Sequence, residues 1–398
     1  MTWTYLIAGI VVIALAVVGI ISMVSWKHQQ LRQQMREVLA NQSRARDSSL
    51  TEDLLRAVGL TGDLVTTRID ADDLRVLHVL GKHGYGIVYT AEWRHPGESS
   101  ESGDALDSSQ EGPASLLDLN TTAASMRHRV TLKRMIPEQS GAKNPSSLKA
   151  FLREIQLLSQ LEHPHVIRLL GVSWNTLTDV TMVMEHLPNG NLRALLRAEK
   201  ERLALGQSRR LRWVESHASF ASTMSITHAP LPSKVAIAMD ITDALAYLHA
   251  LPTPVIHREL RSKNVYFDAQ YNAKVCNFGP PNETQLDVTR APTLDSVAWI
   301  APEILRGERY TDKSDIYAFG IILSELATCC GPFEGIASAA VVIKVTTEHE
   351  RPSVDDADCP ELIQQLAYLC MSGDVAKRPS AAEIQRELQL VRSLSVCV

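Results

Sequence analysis

The hydrophobic period changes once along this chain, and that change limits the folds open to it. From Leu74 to about Leu187 the apolar residues come in short runs, "LRVLHVLG", "GIVYTAEW", "HRVTLKRM", "HVIRLLGVSW" and "DVTMVMEHL", which read as strands. One helical stretch interrupts them: in "SLKAFLREIQLLSQL" Phe151, Ile155, Leu158 and Leu161 fall on one face. Beyond Leu187 the pattern is mainly helical, in "SKVAIAMDITDALAYLHA", "KSDIYAFGIILSELATCC", "SAAVVIKVTTEH", "ELIQQLAYLC" and "SAAEIQRELQLV". Strands gathered first and helices after them predict an α+β protein of two lobes.

Composition narrows the function classes. A chain of 398 residues with 45% hydrophobic side chains can bury a substantial core. A net charge of −5 gives no global attraction for nucleic acid, and no local basic patch spans the main body. The six cysteines (Cys276, Cys329, Cys330, Cys359, Cys370 and Cys397) have no CxxC spacing, so neither a zinc site nor a disulfide framework is indicated.

Residues 1–26, "MTWTYLIAGIVVIALAVVGIISMVSW", carry no charged side chain, and about 20 apolar helical residues span a bilayer core. Trp3, Tyr5 and Trp26 stand where interfacial aromatics belong. A cleaved leader would need a basic start and a small-residue cleavage site, and neither is present. The segment is therefore expected to be a single membrane anchor. Lys27, Arg32, Arg36, Arg44 and Arg46 all follow it, which assigns the rest of the chain to the cytoplasm. In residues 27–70 Leu31, Met35, Val38 and Leu39 recur at helical spacing, giving a juxtamembrane helix and linker. No small-xxx-small pair in the anchor argues for self-association.

Two interruptions break the main body, residues 71–393, before a short tail at 394–398. Residues 96–127 are rich in Ser, Gly, Asp and Glu and read as a disordered acidic loop between two strands. Residues 198–232 begin basic and continue loop-like, and read as a docking surface or, by default, a tolerated insertion.

Several fragments then follow in order. "LGKHGYGIVY" is a glycine-rich turn, with Gly81, Gly84 and Gly86, where backbone N–H groups can approach phosphates. Lys133 lies on the strand "VTLK", and Glu154 on the next helix could pair with it. "HRELRSKN", "NFG", "IAPEIL", "SDIYAFG" and "KRP" come after. In that order, over about Leu74 to Leu390, these stretches resemble the protein kinase family. "WIAPE" resembles the tyrosine-kinase-like serine/threonine group more closely than true tyrosine kinases. The resemblance implies a bilobal fold and an ATP site with Gly81, Gly84, Gly86, Val88, Lys133 and Glu154. It implies Met184 as gatekeeper and Glu185 to Leu187 as the hinge beside adenine. Asn264 and Asn277 stand at its metal positions, and Glu259, Lys133 and Asn264 at its catalytic ones. It also implies that Glu303 pairs with Arg378 and that Asp315 anchors the HRE loop.

Departures from the pattern bear on activity. Glu259 replaces the aspartate that accepts the substrate proton, and a side chain one methylene longer misplaces the carboxylate in a site where about 1 Å costs about 10²-fold. Asn277 replaces the aspartate that holds Mg²⁺, and an amide offers oxygen without charge. His83 stands where the second glycine belongs, and Thr131 replaces a small alanine against adenine. Two functions follow as expectations. One is a membrane-tethered pseudokinase, a scaffold or allosteric partner that still binds ATP with Mg²⁺ weakened or absent. The other is an active or weakly active serine/threonine kinase acting on a protein hydroxyl. Between Asn277 and Glu303 the hydroxyls are Thr284, Thr289, Thr293 and Ser296, with no tyrosine, so phosphorylation of this segment would fall on Ser or Thr.

Overall fold

Five strands form one antiparallel sheet: β1 Leu74–His83, β2 Gly86–Arg94, β3 Arg127–Met135, β4 Leu169–Ser173 and β5 Thr181–Glu185, in the spatial order β1-β2-β3-β5-β4. The computed structural model describes residues 68–83, 86–94, 127–136, 145–175, 179–214, 231–279 and 294–394. Alternate residues point to opposite faces of a strand, and the sheet uses both. Tyr89, Ala91, Val130, Leu132 and Val183 close a small core with Ile69 on one face. The residues between them face the other way. Val88 stands directly opposite Lys133, Thr90 opposite Thr131, and Met182 and Met184 opposite Lys133 and Thr131 in turn.

Under that second face lies helix α1, Pro145–Leu158, whose Phe151, Leu152, Ile155 and Leu158 are buried. They join a large core that continues through the helical lobe. That lobe holds α2 Leu192–Ala204 and α3 Lys234–His249, then the pair β6 Val265–Phe267 and β7 Ala273–Val275, then α4 Pro302–Leu305, α5 Asp312–Thr328, α6 Ser338–Thr346, α7 Glu361–Cys370 and α8 Ala381–Leu394. Helix α5 is buried on every side from Ser314 to Ala327, its polar Asp315 and Glu325 included, as expected of a helix at the centre of its lobe. The lobes are stitched where the Ile167 N–H donates to the Val275 carbonyl at 3.0 Å and Val166 bridges to Val275.

The second interruption is narrower than expected. Helix α2 runs to Ala204, seven residues past Arg197, and the chain beyond packs on the lobe. Glu199 explains this: it is only 3% exposed, because its carboxylate accepts the N–H groups of Arg210 (2.6 Å) and Leu211 (3.0 Å). Arg209 is fixed to Asp356 (3.0 Å) and Asp358 (3.3 Å). Two charges of this stretch, Glu199 and Arg209, are therefore held within the fold. Residues 215–230, the expected acidic loop up to residue 126, the expected anchor at 1–26 and residues 27–67 lie outside the described residues. Among the described residues no helix is long and apolar enough to cross a membrane.

Candidate active site

Lys133 projects from the inner face of β3, and both carboxylate oxygens of Glu154 on α1 take its ammonium, at 2.5 and 2.7 Å. The lysine is 3% exposed, so the carboxylate offsets a charge that burial would otherwise make costly. Gly86 lies against the lysine stem: a Cβ there would sit 2.9 Å from Lys133 Cγ and 3.0 Å from the Arg134 carbonyl oxygen. Val88 faces the same side, directly across from Lys133. Gly81, near the end of β1, has a positive φ of 155° that suits glycine. Gly84 lies outside the described residues.

The segment His257 to Asn264 is held from below by Asp315 on α5. Its carboxylate accepts the N–H groups of His257 (2.8 Å) and Arg258 (2.9 Å), and His249 Nε2 lies 3.0 Å away. These bonds hold Arg258 in the left-handed region at φ 65°, which a side chain rarely adopts. The His257 ring is fully buried against Phe278, with centroids 4.6 Å apart. Burial pushes its pKa down to about 4, so the ring is neutral at pH 7. Its Nε2 lies 3.1 Å from the Cys276 carbonyl, an acceptor, so Nε2 carries the proton.

Glu259 follows on this loop, and its carboxylate lies 3.7 Å from Arg261 Nη2. Tyr310 is close enough for that charge to raise its phenol, which burial first and then Glu259 push up to about 12. Gly279 packs beneath: a Cβ there would stand 2.8 Å from Arg258 Cβ and 3.1 Å from Glu259 Cγ.

Asn264 and Asn277 meet. The Asn264 Nδ2 donates to the Glu259 carbonyl at 2.6 Å, and the Asn277 Nδ2 donates to Asn264 Oδ1 at 3.3 Å. At the two expected metal positions an amide N–H thus faces an amide oxygen, and neither side chain carries charge. Among the described residues no group of three or more His, Cys, Asp or Glu side chains is arranged to hold a metal ion.

The expected hinge divides. Met184 is buried at the end of the sheet, and Leu187 packs on the main core. The Glu185 carboxylate is turned to Lys274 Nζ (2.9 Å) and the Arg168 N–H (2.8 Å), and its own N–H donates to the Arg168 carbonyl at 3.1 Å. Thr131 Oγ1 lies 3.4 Å from His186 Nδ1, a polar contact between β3 and the hinge. The pair Glu303 and Arg378 forms as expected, bidentate at 2.6 and 2.7 Å and buried.

Sequence reasoning missed two residues. Arg261 neutralises Glu259, and its signal was only its place two residues on. Glu325 of α5 accepts the Ser262 hydroxyl (2.7 Å) and the Trp299 indole N–H (2.9 Å), with Arg193 at 3.5 Å. It ties the turn Ser262–Asn264 to the short helix Leu294–Trp299. Chemically, the site offers one buried cation for a phosphate, one carboxylate with a cationic neighbour, and two neutral amides.

Residues 74–388 match the family described as "Protein tyrosine and serine/threonine kinase". A probable serine/threonine-protein kinase of Dictyostelium discoideum is 34% identical over 241 residues, covering 61% of this chain and 16% of that protein. The probable serine/threonine-protein kinase drkA of the same organism is 31% identical over 325 residues, covering 82% of this chain and 41% of its own length. Wall-associated receptor kinase-like 17 of Arabidopsis thaliana is 32% identical over 263 residues, with 61% and 30% covered. The chain thus spans less than half the length of each of these relatives. On the family match across the sheet, the Lys133–Glu154 pair and the HRE loop, this chain belongs to the protein tyrosine and serine/threonine kinase family.

Proposed function

We propose that this chain is a catalytically impaired member of its family, a pseudokinase that keeps a nucleotide cleft and acts on a protein partner as scaffold or allosteric regulator. The observation that carries this reading is the bond between Asn277 and Asn264, two neutral amides where the reaction needs a carboxylate for its metal. Glu259 adds to this, because its side chain is one methylene longer than the aspartate of the pattern and its carboxylate lies 3.7 Å from the Arg261 guanidinium. General base catalysis contributes roughly 10²–10⁴-fold, and loss of metal neutralisation compounds its loss.

A second reading, an active or weakly active serine/threonine kinase, is favoured by the intact Lys133–Glu154 pair and by the names of the relatives. One assay separates the two. The full-length chain with Mg²⁺ and ATP is expected to give no protein phosphorylation above a Lys133→Met control. Transfer that disappears in the control would establish the second reading instead.

Placement in the tyrosine-kinase-like group rests on "WIAPE" with Ser296 upstream. The N-terminal run is read as an anchor that leaves the kinase-like domain in the cytoplasm. The chain is then expected to stay with membranes through alkaline carbonate washing, and release into the wash would remove this part of the proposal.

A further inference from the structure

The Asn264–Asn277 pair has only one consistent orientation. The Glu259 carbonyl accepts, so the amide nitrogen of Asn264 must stand 2.6 Å from it, and Asn264 Oδ1 must point the other way. Facing that oxygen at 3.3 Å is the Asn277 nitrogen. The surrounding backbone fixes both residues. The Cys276 N–H donates to the Asn264 carbonyl at 2.8 Å, and Asn277 holds φ 63°, a left-handed conformation that Asn tolerates.

An octahedral Mg²⁺ about 2.1 Å from its ligands sets neighbouring oxygens about 3 Å apart, close to the spacing between these two side chains. A carboxylate at position 277 would bring two acceptors together at that spacing, and a cation between them would relieve the repulsion. With asparagine the second atom is an N–H. The N–H and the oxygen answer each other without a cation, and neither amide has charge to attract one. These residues do not fit the Mg²⁺ that the family uses.

We infer that the cleft takes a nucleoside triphosphate free of divalent metal, with Lys133 as its phosphate cation and the amide pair standing where the ion would be. This rests on the nucleotide-binding reading above. A triphosphate without metal carries more negative charge than its Mg²⁺ complex, and an aspartate at 277 would repel it. The amide pair does not. Lys133, fixed by Glu154, still presents its ammonium from β3.

The test is calorimetric titration of the full-length chain with ATP, once in EDTA and once in excess Mg²⁺. Binding in EDTA is expected to be as tight as, or tighter than, binding with Mg²⁺, and Lys133→Met should abolish it. Asn277→Asp should reverse the order, with Mg²⁺ tightening ATP binding about tenfold or more. Wild-type binding seen only with Mg²⁺ would overturn the inference and leave the nucleotide cleft standing. Absence of ATP binding in both buffers would overturn the nucleotide-binding reading and the inference with it.

Discussion

Lys133 and Glu154 show how one pair can be both structural and functional. The lysine is buried, so removing only its partner strands an ammonium away from water. Glu154→Gln is therefore expected to cost about 1–3 kcal/mol, read as a lower urea midpoint at unchanged slope. Lys133→Met should cost less, because methionine fills the same stem volume without charge and Glu154, partly exposed, can turn to solvent. The reverse order of the two midpoints would show that the pair itself, rather than the stranded cation, dominates. At this scale both asparagines could be placed at the metal positions from sequence, but the bond between them could not, since 13 residues separate the two amides.

Among elements, Glu325 joins three: helix α5, the turn Ser262–Asn264 and the helix Leu294–Trp299. Burial pushes its carboxyl up to about 7 from an ordinary 4.5, against the opposing pull of Ser262, Trp299 and Arg193. Across that window the folded chain keeps a proton that the unfolded chain releases. The contribution to stability is full below about pH 4.5 and falls as pH rises towards 7, by on the order of 3 kcal/mol in all. Glu325→Gln should flatten this part of the profile. Its carbonyl can accept the Trp299 N–H while its amide donates to Ser262, so above pH 7 the variant is expected to match or exceed the parent. Denaturation at pH 5, 6, 7 and 8 checks this, and an unchanged slope would assign the titration elsewhere.

Across the whole molecule, the bidentate pair of Glu303 and Arg378 fastens the short helix α4 to the chain just before α8. Both side chains are buried, and Arg378 also donates to the carbonyls of Lys313 and Ser372. Arg378→Ala is expected to cost roughly 3–5 kcal/mol, because it leaves a buried carboxylate alone. Arg378→Lys should recover only part of this, since a point charge cannot reproduce the fork. Thermal melts of both variants against the parent measure it, and full recovery by lysine would show that charge alone matters there.

The change of period near Leu187 was enough to place strands before helices, because each element buries one face or is buried all round. Helix α2 escaped that reading: only Leu192, Leu196 and the hydrogen-bonded Glu199 are buried along it, and a buried glutamate looks like a surface one until its donors are known. By itself the sequence determined the order of the motifs and the two altered acids, Glu259 and Asn277, since residue type and spacing are local facts. Only the tertiary structure decided what those changes do. It set Arg261 beside Glu259, turned the Glu185 carboxylate away to Lys274, and closed the two asparagines on each other. A hydrogen bond depends on distance and direction between groups that the chain brings together only when it folds.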